Sequence, residues 1–151
     1  MPENDWDCIL GSVTEEVLEA MFFTSVYGPA DASPPDGEPH VSAHLTFRGS
    51  PCGAMTLSLT EPAARTLAAS FLAAEPDEPL ASSQLGGVVC ELTNMICGSL
   101  LSRVESQTHF QLSSPELLPD GAALPACPPN QSLDLGDGML ALWLTLENHA
   151  G

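Results

Sequence analysis

The sequence predicts an α/β (α+β) fold in which helices pack on an extended, mainly antiparallel sheet. Three observations lead there. The runs "HVSAHLTFRGSPCGAMTLSLTE" and "SLDLGDGMLALWLTLE" alternate apolar and polar residues around turn signals, as hairpin-linked strands do. Before and between them lie stretches whose apolar residues recur at helical spacing. Hairpins make antiparallel pairs, and the apolar face of such a sheet needs a helical layer to cover it.

Taken in order, "GSVTEEVLEAMFFTSVYGP" reads as a first helix. Ser12 and Glu15 form a capping box, Val13, Val17 and Met21 lie on one stripe, and Gly28-Pro29 is the stop. "PADASPPDGEP" is too rich in Pro, Gly and Asp for regular structure and is a loop. Two strands follow, over 40–48 and 52–60, around the turn Gly49-Ser50-Pro51. Glu61-Pro62 opens a short helix, with proline in the first turn where its missing N–H costs nothing. Ser82 or Ser83 caps a long helix containing "GGVVCELTNMICGSLLSRVES". "THFQLSSPELL" is a strand running into a turn at Pro115, and "PDGAALPACPPNQ" is irregular. The last two alternating runs form a hairpin about Asp137-Gly138. Helix, two strands, two helices and about three strands is an order that hints at an internal repeat, although the letters show none.

A length of 151 residues, 44% of them hydrophobic, fits one domain spanning 1–151. There are 20 Asp and Glu against three Arg and no Lys, for a formal net charge of -17. Such a surface repels nucleic acid and anionic lipid, so no nucleic-acid and no membrane partner is expected. The start, "MPENDWDCIL", lacks the basic and apolar segments of a signal or transit peptide. Apolar stretches are interrupted before the roughly 20 residues that span a bilayer, and a cytoplasmic protein is expected. Cys8, Cys52, Cys90, Cys97 and Cys127 lack CxxC or CxxH spacing, which speaks against a disulfide framework or a zinc site and for small buried hydrophobes. His40, His44, His109 and His149 have no nucleophile motif beside them. Asp134, Asp137 and Glu147 can suggest a cation site, and an exposed turn explains them as well.

The long helix carries the chemistry. At about 100° per residue, Leu85, Val89, Leu92, Ile96 and Leu100 form a core face with Val88 and Met95 at its edge. Gly87, Glu91, Asn94, Gly98 and Glu105 fall opposite, and Glu91 and Asn94 stand only about 60° apart. Asn competes with the backbone for hydrogen bonds, and Gly costs about 1 kcal/mol relative to Ala in a helix. Both choices suit a face that a partner approaches closely. Such a pair also arises by chance on exposed faces, and a glycine can serve only helix–sheet packing.

"ELTNMICGSLLSRV" resembles the E-x-x-N-x-x-x-G helix of the CheC/CheX chemotaxis phosphatases, and "EEVLEAMFF" resembles the start of CheX-type chains. The resemblance implies an α/β fold of helices on an extended antiparallel sheet. It also implies a phosphatase acting on the phospho-aspartate of a CheY-type response regulator. Glu91 and Asn94 match the acidic and amide positions of the motif, and Pro115 falls near its downstream proline. Gly87 stands where CheC-type chains often carry Asp or Ser. Those chains repeat the motif on the first helix, whereas here Glu16 is followed at +3 by Glu19, so one site per chain is expected, as in CheX.

In that reading Asn94 orients the attacking water through its carboxamide, and Glu91 pairs with the receiver's active-site Lys. Gly87 and Gly98 let the partner approach. The protein needs no cofactor of its own, because the response regulator supplies Mg²⁺. CheX-like chains are dimers, and the terminal run "MLALWLTLE" offers an edge that a second copy can pair, so a homodimer is expected. The competing reading is a non-catalytic response-regulator-binding or flagellar-switch-like adaptor domain.

Overall fold

The computed structural model describes residues 3–22, 24–29, 39–49, 52–75, 80–104, 110–119, 125, 129–136 and 138–147. The elements are α1 (Glu3–Phe22), β1 (Gly28–Pro29), β2 (His40–Arg48), β3 (Cys52–Thr60), α2 (Glu61–Phe71), α3 (Ser82–Val104), β4 (Gln111–Leu112), β5 (Glu116–Leu117), β6 (Gln131–Asp134) and β7 (Met139–Glu147). The expected fold class holds: helices lie on one open sheet in the order β1-β6-β7-β3-β2-β4, with β5 also on β2. Every pairing is antiparallel.

The register explains the core. Ala43 stands opposite Leu57 and Leu57 opposite Leu142, while Leu45 aligns with Met55 and Met55 with Leu144. Because side chains alternate along a strand, these residues share a face. They join Leu10, Val13, Leu18 and Phe22 of α1, Leu67 of α2 and Leu92, Ile96 and Leu100 of α3 in one apolar cluster. On the opposite face small hydroxyls pair across strands. Ser42 Oγ donates to Ser58 Oγ at 3.0 Å, and His44 Nδ1 lies 2.8 Å from Thr56 Oγ1.

Helix α1 begins at Glu3, so Ser12 and Glu15 are exposed mid-helix residues and not a capping box. Trp6, 4% exposed, and Leu10, 0%, carry the apolar stripe upstream, and burying them extends the helix. Met21 is 47% exposed; Leu18 and Phe22 take the core instead, and the Phe22 ring stacks on Phe71 of α2 at 4.8 Å. The helix stops at Phe22, and Gly28-Pro29 forms β1 against β6 rather than the helix end.

Strands β2 and β3 run as expected, although Ser50 and Pro51 of their turn lie outside the described residues. Helix α2 follows β3 without a loop, with Pro62 in its first turn. Thr60 leaves α2 without a side-chain cap and instead accepts from Met139 N at 3.1 Å. Gly138 permits this contact, since a Cβ there would lie 1.9 Å from Thr60 Oγ1. At the other end of α2, Ala73 takes a φ of 55°.

Helix α3 is capped differently from the expectation at Ser82 or Ser83. Gln84 Oε1 accepts from Ala81 N at 2.8 Å, and Ala81 O receives the N–H of Gln84 and Leu85. Its stretch Ser83–Val104 has the length and hydropathy of a membrane-crossing helix, but 56% of its most apolar 18 residues are buried against the rest of the fold. Leu85, Val89, Leu92, Ile96 and Leu100 are all buried, as the helical projection requires. Arg103 in its last turn pairs with Glu16 and ties α3 to α1.

The final run corrects one expectation. β7 is not an edge: it lies between β6 and β3, paired with β3 from Leu140 to Glu147. Pairing with β6 ends at Leu142, and beyond the Asn130 side chain bonded to Leu144 N no strand neighbours that side among the described residues. Asp137 of the expected turn lies outside the described residues, and Leu135 N to Gly138 O closes the connection.

The hinted repeat is present in space. Trp6, Leu10, Val13, Thr14, Val17 and Leu18 of α1 recur as Leu85, Val89, Leu92, Thr93, Ile96 and Cys97 of α3, all buried. Thr14 donates to Leu10 O at 2.7 Å and Thr93 to Val89 O at 2.8 Å. The strand after α1 pairs with β6, the strands after α3 pair with β2, and β3 meets β7 at the centre.

Candidate functional site

Four residues of α3 at helical spacing, Gly87, Cys90, Glu91 and Asn94, line one side of an open groove of about 330 Å³. The other side is the segment Leu112, Ser113, Ser114 and Pro115, which joins β4 to β5. Backbone and side chain both pin this wall to β2. Ser113 N donates to Thr46 O at 2.8 Å, Ser113 Oγ accepts from Thr46 N at 2.9 Å, and Leu118 N donates to Ser42 O at 2.9 Å. The wall is therefore a continuation of the sheet edge, and α3 lies across from it.

Gly87, Glu91 and Asn94 are exposed. Among the described residues neither Glu91 nor Asn94 has an intrachain hydrogen-bond or ion-pair partner, so both polar groups are available to a ligand. Among the described residues Glu91 is the one charged residue lining the groove. Among the described residues a Cβ added at Gly87 or Gly98 would meet nothing within 4 Å, so their packing requires neither glycine. Gly86 differs, because a Cβ there would lie 2.6 Å from Leu117 Cδ2.

The groove thus brings together Gly87, Glu91, Asn94 and Pro115. Gly98 lies one turn further along α3, outside the lining, and Glu105 lies outside the described residues. Sequence reasoning missed Cys90 as a lining residue and the wall Leu112–Ser114. Cys90 shares the helical spacing of Gly87 and Asn94, which was a usable signal; the wall is placed by sheet pairing and leaves none.

Burial raises the Cys90 thiol pKa, and it pushes that of Cys97 up to about 12. Cys97 fits the buried-hydrophobe reading, whereas Cys8 is exposed, which corrects that reading there; Cys127 lies outside the described residues. No group of three metal-ligating side chains occurs among the described residues. Asp134 Oδ1 accepts from Gly136 N in its turn; Asp137 and the side chain of Glu147 are not described. Among the described histidines, His40 and His44 sit on β2 and neither lines the groove; His109 and His149 lie outside the described residues.

The repeat supplies an internal comparison. On α1, Ser12 and Glu15 stand where α3 has Glu91 and Asn94. At the place of Cys90, a Cβ on Gly11 would lie 3.2 Å from Gln131 Oε1. Gln131 Nε2 donates to Asp7 O at 2.9 Å, and Asn130 Nδ2 to Asp7 Oδ1 at 3.1 Å. Side chains of β6 and its approach crowd that place, while its counterpart on α3 is open.

Helices on an open antiparallel sheet in this arrangement are the fold of the CheX and CheC-like proteins among solved structures. The family model for chemotaxis phosphatase CheX matches residues 41–131, and the chain belongs to that family. Among solved structures, CheX from Vibrio vulnificus superposes with a TM-score of 0.73 at 18% identity, covering 94% of this chain and 96% of that one. CheX from Desulfovibrio desulfuricans gives 0.72 at 18%, covering 95% and 99%. The CheX-CheY-BeF3-Mg²⁺ complex from Borrelia burgdorferi gives 0.70 at 13%, covering 93% and 96%. No curated protein sequence matches the chain significantly.

Proposed function

We propose that this protein dephosphorylates the phospho-aspartate of a CheY-type response regulator, with Asn94 holding the attacking water and Glu91 holding the receiver. The observation that carries the reading is the pair itself: two exposed, unpartnered polar groups one helical turn apart, facing one groove beside a glycine that internal packing does not require. Membership of the CheX family supports phosphatase chemistry, and the CheX-CheY complex among the structural neighbours supports a CheY-type partner.

The chemistry asks little of the chain's own residues. The receiver brings Mg²⁺ and a Lys to the phosphoryl oxygens, so the missing part is a water held in line. A carboxamide accepts through its oxygen and donates through its NH₂, so Asn94 can hold that water without changing protonation. Among the described residues Glu91 has no cation partner, and it can take the receiver's Lys.

The test is phosphate release from a phosphorylated receiver of the same cell, beside a binding titration. Asn94→Ala should lower the rate by about 100-fold with binding nearly unchanged, because the contact is made chiefly in the transition state. Glu91→Ala should weaken binding, and Glu91→Lys should weaken it further. Full activity in Asn94→Ala would overturn the assignment. Tight binding without phosphate release by the unaltered protein would make it an adaptor.

A further inference from the structure

Leu117 is 48% exposed and follows two residues after Pro115, which lines the groove. It stands on β5 directly after Pro115-Glu116, opposite Ala43 of β2, and leans over the first turns of α3 at Gly86. The other large exposed apolar residues among the described ones, Met21, Tyr27 and Leu72, belong to α1, the approach to β1 and the end of α2. The two adjacent glycines of α3 therefore serve one surface. Gly86 makes room for the leucine, and Gly87, with nothing within 4 Å of its Cβ position, leaves the groove open beside it.

We propose that the receiver domain seated on the groove also covers Leu117, which acts as an apolar anchor setting affinity for the receiver while taking no part in the chemistry. This rests on the phosphatase reading and extends it to a specificity-determining residue. The groove is open, and a body that brings a cation to Glu91 and a phosphoryl group to Asn94 need reach only past Pro115 and Gly87 to cover Leu117, which lies over Gly86. Charge selects the occupant. The chain carries -17, and two of its three guanidiniums, Arg65 and Arg103, are already engaged by Glu61 and Glu16. A second copy of the chain would set like charge against like, and nucleic acid or anionic lipid would do the same. A receiver presenting a lysine within an apolar rim complements both Glu91 and Leu117, in the usual arrangement of an apolar contact beside a charged one.

The experiment titrates the BeF3- and Mg²⁺-loaded CheY-type receiver of the same cell against the full chain and follows phosphate release in parallel. Leu117→Ala should raise Kd and KM together by about five- to tenfold, from loss of the exposed half of a leucine contact, with kcat at saturation unchanged. Leu117→Met should restore most of the affinity, and Leu72→Ala should leave it as it was. Gly86→Ala should weaken binding by displacing Leu117, and should add nothing once Leu117 is already Ala. Parental affinity in Leu117→Ala, or full additivity of the two changes, overturns the anchor while leaving the phosphatase reading intact. An unaltered protein that neither binds nor dephosphorylates any receiver overturns both.

Discussion

At the scale of residues, the glycines of α3 set stability against function. Gly87 and Gly98 each lower helix stability by about 1 kcal/mol relative to Ala, and a Cβ at either would meet no other element within 4 Å among the described residues. Gly87→Ala and Gly98→Ala should therefore raise stability by about 0.5–1 kcal/mol each in thermal melts. Gly87→Ala should also slow receiver dephosphorylation, since the methyl enters the groove. A Gly87→Ala protein that is less stable would mean that internal packing does require the glycine. Cys97 gives a second prediction. Burial raises its folded pKa to about 12, above the ordinary thiol value near 8.5. Its contribution to stability is fully present below the unfolded pKa and fades as pH rises from about 9 towards 12. Cys97→Ala, made alongside the native protein, should flatten the alkaline loss of stability in that window; an unchanged profile would remove Cys97 as its cause.

At the scale of elements, the C-terminal end of α2 holds an avoidable strain. Ala73 sits at φ 55°, where a side chain costs roughly 1–2 kcal/mol, and glycine is favoured after a helix. After the unfolded-state entropy of glycine is subtracted, Ala73→Gly should stabilise by about 0.5–1 kcal/mol, and a lowered melting temperature would refute this. Elements were legible in the sequence where local pattern and tertiary demand agree. β2, β3 and α2 carry their own alternation, proline and turn chemistry, and the faces of α3 follow from its period, which is why Glu91 and Asn94 were found together. The start of α1 was hidden because an acidic, polar opening masks the two residues, Trp6 and Leu10, whose burial extends the helix. β1 has two residues and exists only through its pairing with β6. The wall Leu112–Pro115 was invisible for the same reason: only the hydrogen bonds to Thr46 place it opposite the helix.

At the scale of the whole molecule, charge governs association. With 20 carboxylates against three guanidiniums, capture of a receiver that presents its lysine to Glu91 should be fast at low salt, and kon should fall by about tenfold between roughly 20 and 300 mM salt. A flat profile would show that the field plays no part. The proposed homodimer should respond in the opposite sense, since screening relieves repulsion between two copies. The side of β7 beyond Leu144 offers the backbone for such pairing, and light scattering that finds only monomer at high salt and micromolar concentration would dismiss it.

The central seam of the sheet has a consequence for how the chain reaches this structure. β3 finds no permanent neighbour on its β7 side until Cys52–Leu59 meets Leu140–Glu147, a contact of long sequence separation at the middle of the sheet. Such closures are slow because the entropy of the intervening chain is lost before the pairing compensates it. Helices α1 and α3 and the β2–β3 hairpin can form early, yet until β7 arrives they share a sheet with an exposed inner edge. The vulnerable interval in folding is therefore the wait for β7, during which the bare edge of β3 is open to mispairing with another chain.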